Sequence, residues 1–352
     1  MESTEAHNQG LTYQAAGVDI EAGERAVQLM AAAVRSTHDS GVLTGLADFG
    51  GMYALPPGLR EPVLVSSTDG VGTKLKIAFA LDKHDTVGQD LVAMCVDDIV
   101  VQGAQPLFLL DYLAVGKLQP QVVAEIVGGI AAACRTVPCA LIGGETAELP
   151  GFYAPGEYDL AGFAVGVVER DQIIDGAAVR AGEVLVGLAA SGLHSNGYSL
   201  ARAVLLERAG LKLEEQIPEL GRTLGEELLE PTVVYAGPLG RLLEAGLRPD
   251  ALAHITGGGI PGNLARVIPG GLTARVEWGS WPEPPIFDLI RSRGQVAPPE
   301  MQRTFNLGLG MIAVVPPAQV EATREMLRAQ GVESWVVGEV VTSEGEERVG
   351  LA

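Results

Sequence analysis

The sequence is poor in aromatic residues and in cysteine. Aromatic residues make up 5% of the 352 residues, so the core must be built mainly from alanine, valine, leucine and isoleucine, within an apolar share of 47%. The three cysteines, Cys95, Cys134 and Cys139, form no CxxC pair and no even framework. This usage favours buried free thiols in a reducing compartment over a disulfide scaffold or a cysteine metal site.

Positive charge is also scarce, because 24 Lys and Arg residues stand against 44 Asp and Glu residues, for a net charge of −20. Nucleic acids and anionic membranes both reward basic patches, so neither is expected as a partner. No apolar run approaches the roughly 20 residues that span a bilayer. The start, Met1–Glu5, is acidic and polar, unlike a signal peptide, and a cytoplasmic location is expected.

What is present is a regular alternation of apolar runs and glycine-rich loops, which predicts a folded chain of mixed α/β (α+β) class. We expect two domains, 1–169 and 170–352, because the composition changes near residues 169–171. Residues 1–18 look like a mobile arm before a helix that Asp19 caps. Predicted helices cover 86–103, 120–134, 198–209 and 224–246, and predicted strands cover 62–68, 106–115, 138–142, 158–168, 184–190, 272–277, 309–315 and 335–340.

The most informative loop, residues 66–75, follows the apolar run 62–65 directly. Asp69 can ligate Mg²⁺, the glycines of Gly70-Val71-Gly72 let backbone N–H groups approach phosphate oxygens, and Thr73-Lys74 adds a hydroxyl and a mobile positive charge. The spacing is not that of a Walker A loop. The alternative is a glycine-rich hairpin between two strands.

A pair of carboxylates, Asp97 and Asp98, lies on the predicted helix 86–103. The helical neighbours of Asp98 are mostly apolar, and a buried unpaired carboxylate costs several kcal/mol, so a cation partner is expected. Mg²⁺ shared with Asp69 would supply it. The alternative is a solvated helix edge on which both carboxylates face water.

Three further loops carry candidate polar groups. Gly144, Glu145 and Thr146 follow a predicted strand and would lie at a sheet edge, unless they form a plain turn. His194 precedes a helix N-terminus, which would keep its imidazole neutral and able to accept a proton, unless it is a loop histidine beside a helix cap. Thr256–Asn263 contains a triple glycine before Pro261 and suits an anion site at a helix start.

Taken in order, these segments resemble the phosphoribosylformylglycinamidine cyclo-ligase family, also called aminoimidazole ribonucleotide synthetases. Any one segment is weak evidence, but eight in order over nearly the whole chain are specific. The matching stretches are Ala16–Ile20, Thr68–Leu75, Asp90–Val96, Val101–Ala104, Gly143–Glu148, Ser191–Gly192 with His194–Leu200, Thr256–Gly259 and Arg303–Asn306.

The resemblance implies a fold with an N-terminal sheet-plus-helices domain that binds ATP and metal, and a C-terminal α/β domain that binds substrate. N-terminal sheets of two copies usually join in a homodimer. The implied reaction converts formylglycinamidine ribonucleotide and ATP to aminoimidazole ribonucleotide, ADP and phosphate through an iminophosphate. Mg²⁺ is the implied cofactor, and the sequence leaves open whether a monovalent cation is also used.

The resemblance also implies roles for individual residues. Asp69 and Asp98 would be Mg²⁺ ligands, with Asp97 and Glu145 as weaker candidates. His194, Lys74 and Asp98 would be catalytic, with His194 at the reacting formamide. The implied contacts to ATP or phosphate are Asp69, Gly70, Gly72, Thr73, Lys74, Gly144, Glu145, Thr146, Gly257, Gly258 and Gly259. The implied contacts to substrate are His194, Ser195, Asn196 and Asn306.

Departures from the family pattern leave the principal candidates intact. Asp97 stands where the family usually has Asn, residues 47–50 read Ala-Asp-Phe-Gly instead of Gly-Gly-Phe-Gly, and Gln14-Ala15 replaces Lys-Asp. The alternatives are a thiamine-monophosphate kinase, a selenophosphate synthetase or a non-catalytic maturation protein of the same superfamily. A selenophosphate synthetase is expected to carry cysteine in its N-terminal arm, and none precedes Cys95. A maturation protein is expected to end in cysteine, and none follows Cys139.

Overall fold

The computed structural model describes residues 11–45, 48–343, 345 and 347–351. The described helices are α1 (Ile20–Arg35), α2 (Leu75–Leu81), α3 (Val87–Val100), α4 (Pro120–Cys134), α5 (Tyr198–Arg202), α6 (Leu224–Leu228), α7 (Ala236–Glu244), α8 (Gly259–Leu264), α9 (Pro285–Gly294), α10 (Pro298–Thr304) and α11 (Val320–Ala329). The described strands are β1 (Pro62–Gly70), β2 (Gln105–Val115), β3 (Ala140–Glu148), β4 (Tyr158–Glu169), β5 (Val184–Ala189), β6 (Gln216–Ile217), β7 (Arg222–Thr223), β8 (Ala251–His254), β9 (Leu272–Val276), β10 (Leu309–Val315), β11 (Ser334–Thr342) and β12 (Val349–Leu351).

The N-terminal half builds a four-stranded sheet in the order β1-β4-β2-β3. Strand β4 is antiparallel to β1 and β2, whereas the edge strand β3 is parallel to β2. The register aligns Asp69, Gly162, Asp111 and Gly144 in one row across the sheet. Because cross-strand partners share a face, these residues lie on one side of the sheet. Helix α3 covers that side, since a Cβ on Gly162 would lie 2.9 Å from the Cys95 sulfur.

Helix α3 is buried along nearly its whole length, because it lies between the sheet and α4. The two helices approach so closely that a Cβ on Gly88 would lie 2.3 Å from the Ile130 nitrogen. Only glycine fits at this contact. A helix enclosed in this way carries its polar side chains into the interior, where each needs a partner.

The C-terminal half builds a six-stranded sheet in the order β12-β9-β11-β5-β10-β8. Strand β12 is parallel to β9, and the other pairs are antiparallel. Every residue of β10 is buried, as expected for a central strand covered on both faces. Strand β8 lies at the edge and leads directly into the triple-glycine loop.

The predicted elements mostly match the observed ones. Asp19 caps α1 by accepting the Ala22 N–H at 3.0 Å, which confirms the predicted cap. The predicted helix 224–246 is wrong, because Glu230-Pro231 interrupts it and two helices, α6 and α7, form instead. The strand predicted at 138–142 extends through Glu148, so Gly144–Thr146 belongs to a strand and not to a turn.

In the described part of the chain, no helix is both long enough and apolar enough to cross a membrane. Residues 1–10 of the predicted arm lie outside the described residues, as does Ala47 of the departure at 47–50. Residues 12–17 form a turn that ends at the cap of α1.

Candidate active site at the domain seam

Several predicted site segments meet where the two halves of the chain touch. We define the domain seam as residues 69–74 and Asp98 from the N-terminal half, with 194–199 and 254–258 from the C-terminal half. Direct contacts cross it: the hydroxyls of Thr73 and Ser199 lie 3.2 Å apart, and His254 reaches Asp98 at 2.9 Å. The structure therefore brings together residues that are 126 and 156 positions apart in sequence.

The two principal carboxylates lie close to each other at the seam. Asp69 is half-buried at the end of β1, where it accepts the Gly70 N–H at 2.7 Å. Its pKa is raised, mainly by burial and in addition by the charge of Asp98, while the Gly70 N–H and His254 oppose the shift. Asp98 remains about half exposed on α3. A half-buried carboxylate beside a second, open one is an arrangement that a divalent cation would stabilise.

His254 is the residue of the C-terminal half that contacts this pair of carboxylates. It ends β8 and is 6% exposed, and its Nδ1 donates to Asp98 Oδ1 at 2.9 Å. Burial lowers the pKa of His254, but the bond to Asp98 and the charges of Asp97, Asp98 and Asp69 outweigh burial and leave that pKa raised. Sequence reasoning missed His254. The available signal was a histidine that ends an apolar run just before the glycine loop.

The Lys74 ammonium lies in the interior, although the sequence predicts that it holds the polyphosphate. The side chain is fully buried, and Nζ donates to Asp90 Oδ1 at 2.7 Å, to the His194 carbonyl at 3.1 Å and to the Glu230 carbonyl at 2.6 Å. Asp90 Oδ1 also accepts the N–H and hydroxyl of Thr232. Lys74 has no N–H left for a phosphate, so its role is corrected to a buried tie between α3 and two C-terminal loops.

His194 is also buried, at 2% exposure, with a left-handed backbone of φ 60°. Its Nε2 accepts the Ser191 N–H at 3.2 Å, which leaves the proton of the neutral ring on Nδ1. Burial, and then the nearby charges of His254 and Lys74, lower its pKa well below the usual value. Burial and nearby charges, and not the predicted helix N-terminus, therefore favour the neutral imidazole, and the contact of this buried ring with the formamide stays a prediction.

Asn306 and Ser195 support the histidine loop from behind. Asn306 is 3% exposed; it donates to the Gly192 carbonyl at 2.9 Å and accepts the Gly308 N–H at 2.8 Å. Its amide is thereby bonded to backbone on both sides, and its substrate contact stays a prediction. The Ser195 hydroxyl lies 3.3 Å from the Thr232 hydroxyl, and both belong to the same buried network as Lys74.

The triple-glycine loop is held by side chains on both sides. Asn196 Oδ1 accepts the Gly257 N–H at 3.1 Å. Asn263 Nδ2, which sequence reasoning did not assign, lies within 3.3 Å of three carbonyls of the loop. Gly257 and Gly258 are exposed, but Gly259 is buried, and a Cβ there would lie 1.8 Å from the Gln302 carbonyl oxygen. Packing, not phosphate contact, therefore requires glycine at 259.

The acidic strand β3 lies apart from the seam. Glu145 pairs with Tyr112, so it projects from the opposite face to Asp69 and three strands away. Gly144, Glu145 and Thr146 line a cavity of about 610 Å³ together with Asp111, whose pKa burial raises to about 7. Among the described residues, no group of three His, Cys, Asp or Glu side chains could hold a metal. Glu145 therefore lies apart from the Asp69–Asp98 pair, and its predicted role as a metal ligand stays a prediction.

Asp97 serves the fold and not the open site. It is fully buried, and its Oδ1 accepts the Ala236 N–H at 2.7 Å at the start of α7, while burial raises its pKa to about 7. Within the described residues, Oδ2 has no hydrogen-bond partner. The alternative in which Asp97 faces water is therefore wrong, and its weaker candidacy as a metal ligand stays a prediction.

Comparison with known proteins gives the fold and relatives of this chain. Two family models match, described as AIR synthase related protein, N-terminal domain, over residues 50–168, and AIR synthase related protein, C-terminal domain, over residues 180–350. A curated relative from Anaeromyxobacter sp. (strain Fw109-5), named phosphoribosylformylglycinamidine cyclo-ligase, is 56% identical over 338 residues, 96% of this chain and 97% of that protein.

Solved structures of lower identity share the fold. Thiamine-monophosphate kinase from Stenotrophomonas maltophilia K279a is 17% identical, with a TM-score of 0.65 over 92% of this chain and 95% of that chain. Hydrogenase maturation protein HypE in complex with ATP is 17% identical, with a TM-score of 0.64 over 94% of this chain and 90% of that chain. These likenesses confirm the predicted fold class.

Proposed function

The chain belongs to the AIR synthase related family of phosphoribosylformylglycinamidine cyclo-ligases, and we propose that the domain seam is its active site. The enzyme uses ATP to close formylglycinamidine ribonucleotide into aminoimidazole ribonucleotide, a ligase reaction of purine biosynthesis that forms a carbon–nitrogen bond. The observation that carries the placement is the pair of a half-buried Asp69 and a half-exposed Asp98, which His254 of the other half contacts at 2.9 Å; burial, and in addition the charge of Asp98, raises the pKa of Asp69.

Mg²⁺ fits this pair, because the two side chains offer hard carboxylate oxygens as ligands and the Asp98 side chain is about half exposed. Mg²⁺ is usually held by one or two carboxylates plus substrate phosphates and water, so two protein ligands suffice. Asp69 and Asp98 would hold it, and it would neutralise charge on the transferred phosphoryl group. The backbone of Gly72, Thr73 and Gly258 is exposed at the seam and would contribute N–H groups to phosphates.

The chemistry needs little beyond charge neutralisation and positioning. The formamide oxygen bonds to the γ-phosphorus of ATP as the bond to ADP breaks, which converts a poor leaving group into phosphate. The amidine nitrogen of the same molecule then bonds to the activated carbon, and phosphate leaves with the electron pair of the carbon–oxygen bond. Holding the amidine nitrogen beside the activated carbon of the same substrate lowers the barrier to ring closure by several kcal/mol. The loops that Lys74, Asn306 and Asn263 fix supply a rigid surface for this positioning.

The decisive assay mixes purified protein with formylglycinamidine ribonucleotide, ATP and Mg²⁺. We expect aminoimidazole ribonucleotide and ADP to appear in equal amounts, and no turnover when chelator removes Mg²⁺. Thiamine monophosphate serves as the alternative substrate, because a structural neighbour is named as its kinase. Absence of aminoimidazole ribonucleotide, or phosphorylation of thiamine monophosphate instead, would overturn the assignment.

We further propose that the enzyme is a homodimer joined through the N-terminal sheet. The sheet face opposite α3 exposes Leu64, Tyr112 and Phe163, at 61%, 38% and 46%. Exposed apolar side chains grouped on one sheet face mark an interaction surface. Two identical faces satisfy the requirement of a two-fold dimer, in which each copy offers the same patch.

The double variant Leu64→Glu/Phe163→Glu is expected to sediment as a monomer where the unmodified protein sediments as a dimer. Buried like charges at a two-fold interface repel and lose their hydration. The control is Val336→Glu, an exposed apolar strand residue of the other sheet at 43%, which should leave the dimer intact. A monomeric unmodified protein, or a double variant that stays dimeric, would contradict the proposal.

A further inference from the structure

His254 joins the two halves of the proposed site through a single side chain. Its ring lies in the interior, whereas the carboxylate that it contacts is about half exposed on α3. An ionised carboxylate can only accept, so the 2.9 Å contact is a hydrogen bond from Nδ1–H to Asp98 Oδ1. Because the ring is buried and the carboxylate is about half exposed, the ring is the better-held partner and restricts Asp98.

The contact between His254 and Asp98 would set the orientation in which the Asp98 carboxylate binds a cation. With Oδ1 held by His254, rotation of the Asp98 carboxylate is restricted and its other oxygen is left for a cation. Removing a residue that orients a metal ligand typically weakens metal affinity about 10–100-fold. The arrangement differs from the usual one, in which such a histidine is itself the ligand and a carboxylate orients it.

The same strand also carries the triple-glycine loop. Thr256 and Gly257 follow His254 by two and three residues, and Asn263 ties their carbonyls to α8. A shift of β8 would therefore move His254, which contacts Asp98, and the backbone of the glycine loop together. Strand β8 thus connects the two parts of the proposed site.

We propose that His254 is a positioning residue that orients Asp98 for magnesium and couples that metal site to the triple-glycine loop. The proposal rests on the proposed function, because it takes Asp98 as a metal ligand. Its consequence is that the affinity for the metal depends on a residue that never touches the metal.

The test uses the full-length protein, alone and with ADP added to supply phosphate ligands, and measures Mn²⁺ binding, as a probe for the Mg²⁺ site, by electron paramagnetic resonance. His254→Leu fills a similar space with an apolar side chain but removes the Nδ1–H donor. We expect Mn²⁺ binding to weaken about 10–100-fold. His254→Asn places an amide N–H at the position of Nδ1 and should restore most of the affinity. The control is His84→Leu, which removes another buried histidine, bonded to Tyr158 at 3.0 Å.

Turnover supplies a second reading. His254→Leu should raise the Mg²⁺ concentration for half-maximal rate while the rate at saturating Mg²⁺ falls much less. Equal weakening by His254→Asn and His254→Leu, or wild-type Mn²⁺ affinity in a folded His254→Leu protein, would overturn the positioning role alone. An unmodified protein that binds no Mn²⁺ either alone or with ADP would overturn the proposal together with the assignment of Asp69 and Asp98 as ligands.

Discussion

Lys74→Met is expected to lower the free energy of unfolding by about 3–5 kcal/mol, because it removes one partner of a fully buried ion pair. Methionine fills a similar volume but leaves Asp90 as an uncompensated carboxylate at 0% exposure. The carbonyls of His194 and Glu230 lose their donor at the same time. Urea unfolding followed by circular dichroism measures the loss as a lower midpoint.

The chain offers a matched control two residues away. Lys76 pairs with Glu157 at 2.7 Å, but its side chain is 45% exposed, so Lys76→Met should cost only about 0.2–1 kcal/mol. Adding Asp90→Asn to Lys74→Met removes the uncompensated charge while keeping an acceptor for Thr232, and should recover part of the loss. Equal unfolding midpoints for Lys74→Met and Lys76→Met would contradict the buried tie.

Local rules predicted the elements that local sequence decides. Pro120 begins α4 and Asp19 caps α1, because a fixed φ angle and a side-chain acceptor act within one turn of helix. The single predicted helix over 224–246 is wrong because apolar spacing alone outweighed Pro231 in that prediction. The sequence indicated only a strand of a few residues before the triple glycine, and β8 is four residues long and pairs with β10 alone.

For the site, the sequence predicted the segments better than it predicted the direction of each side chain. Asp69 and Lys74 lie in one short loop, yet one faces the seam and the other the interior. The difference comes from Asp90, a buried carboxylate on α3 that accepts a hydrogen bond from the Lys74 ammonium in the interior. Glu145 likewise has the right chemistry on the wrong face of the sheet, and only the register with Tyr112 reveals it. Such facts depend on pairing across the fold.

Asp69→Asn is expected to lower turnover by about 10²–10⁴-fold, because loss of one of two metal ligands removes several kcal/mol of transition-state charge stabilisation, at tenfold per 1.36 kcal/mol. The fold should not suffer. Burial and the charge of Asp98 raise the pKa of Asp69, so the ionised form is disfavoured in the folded protein without metal, and a neutral amide removes that repulsion. Turnover at saturating ATP and the thermal midpoint measure the two effects separately.

Asp159→Asn is the matched control, because Asp159 lies on β4 of the same sheet and accepts the N–H of the next residue at 2.9 Å, as Asp69 does at 2.7 Å. It is exposed and lies outside the seam, so both turnover and thermal midpoint should stay unchanged. If Asp69→Asn lost turnover only in proportion to lost folded protein, Asp69 would be a strand-end residue and not a ligand. If turnover fell while the folded fraction and thermal midpoint held, the lost rate would be due to the missing charge, because the amide keeps the shape and the acceptor oxygen of the carboxylate.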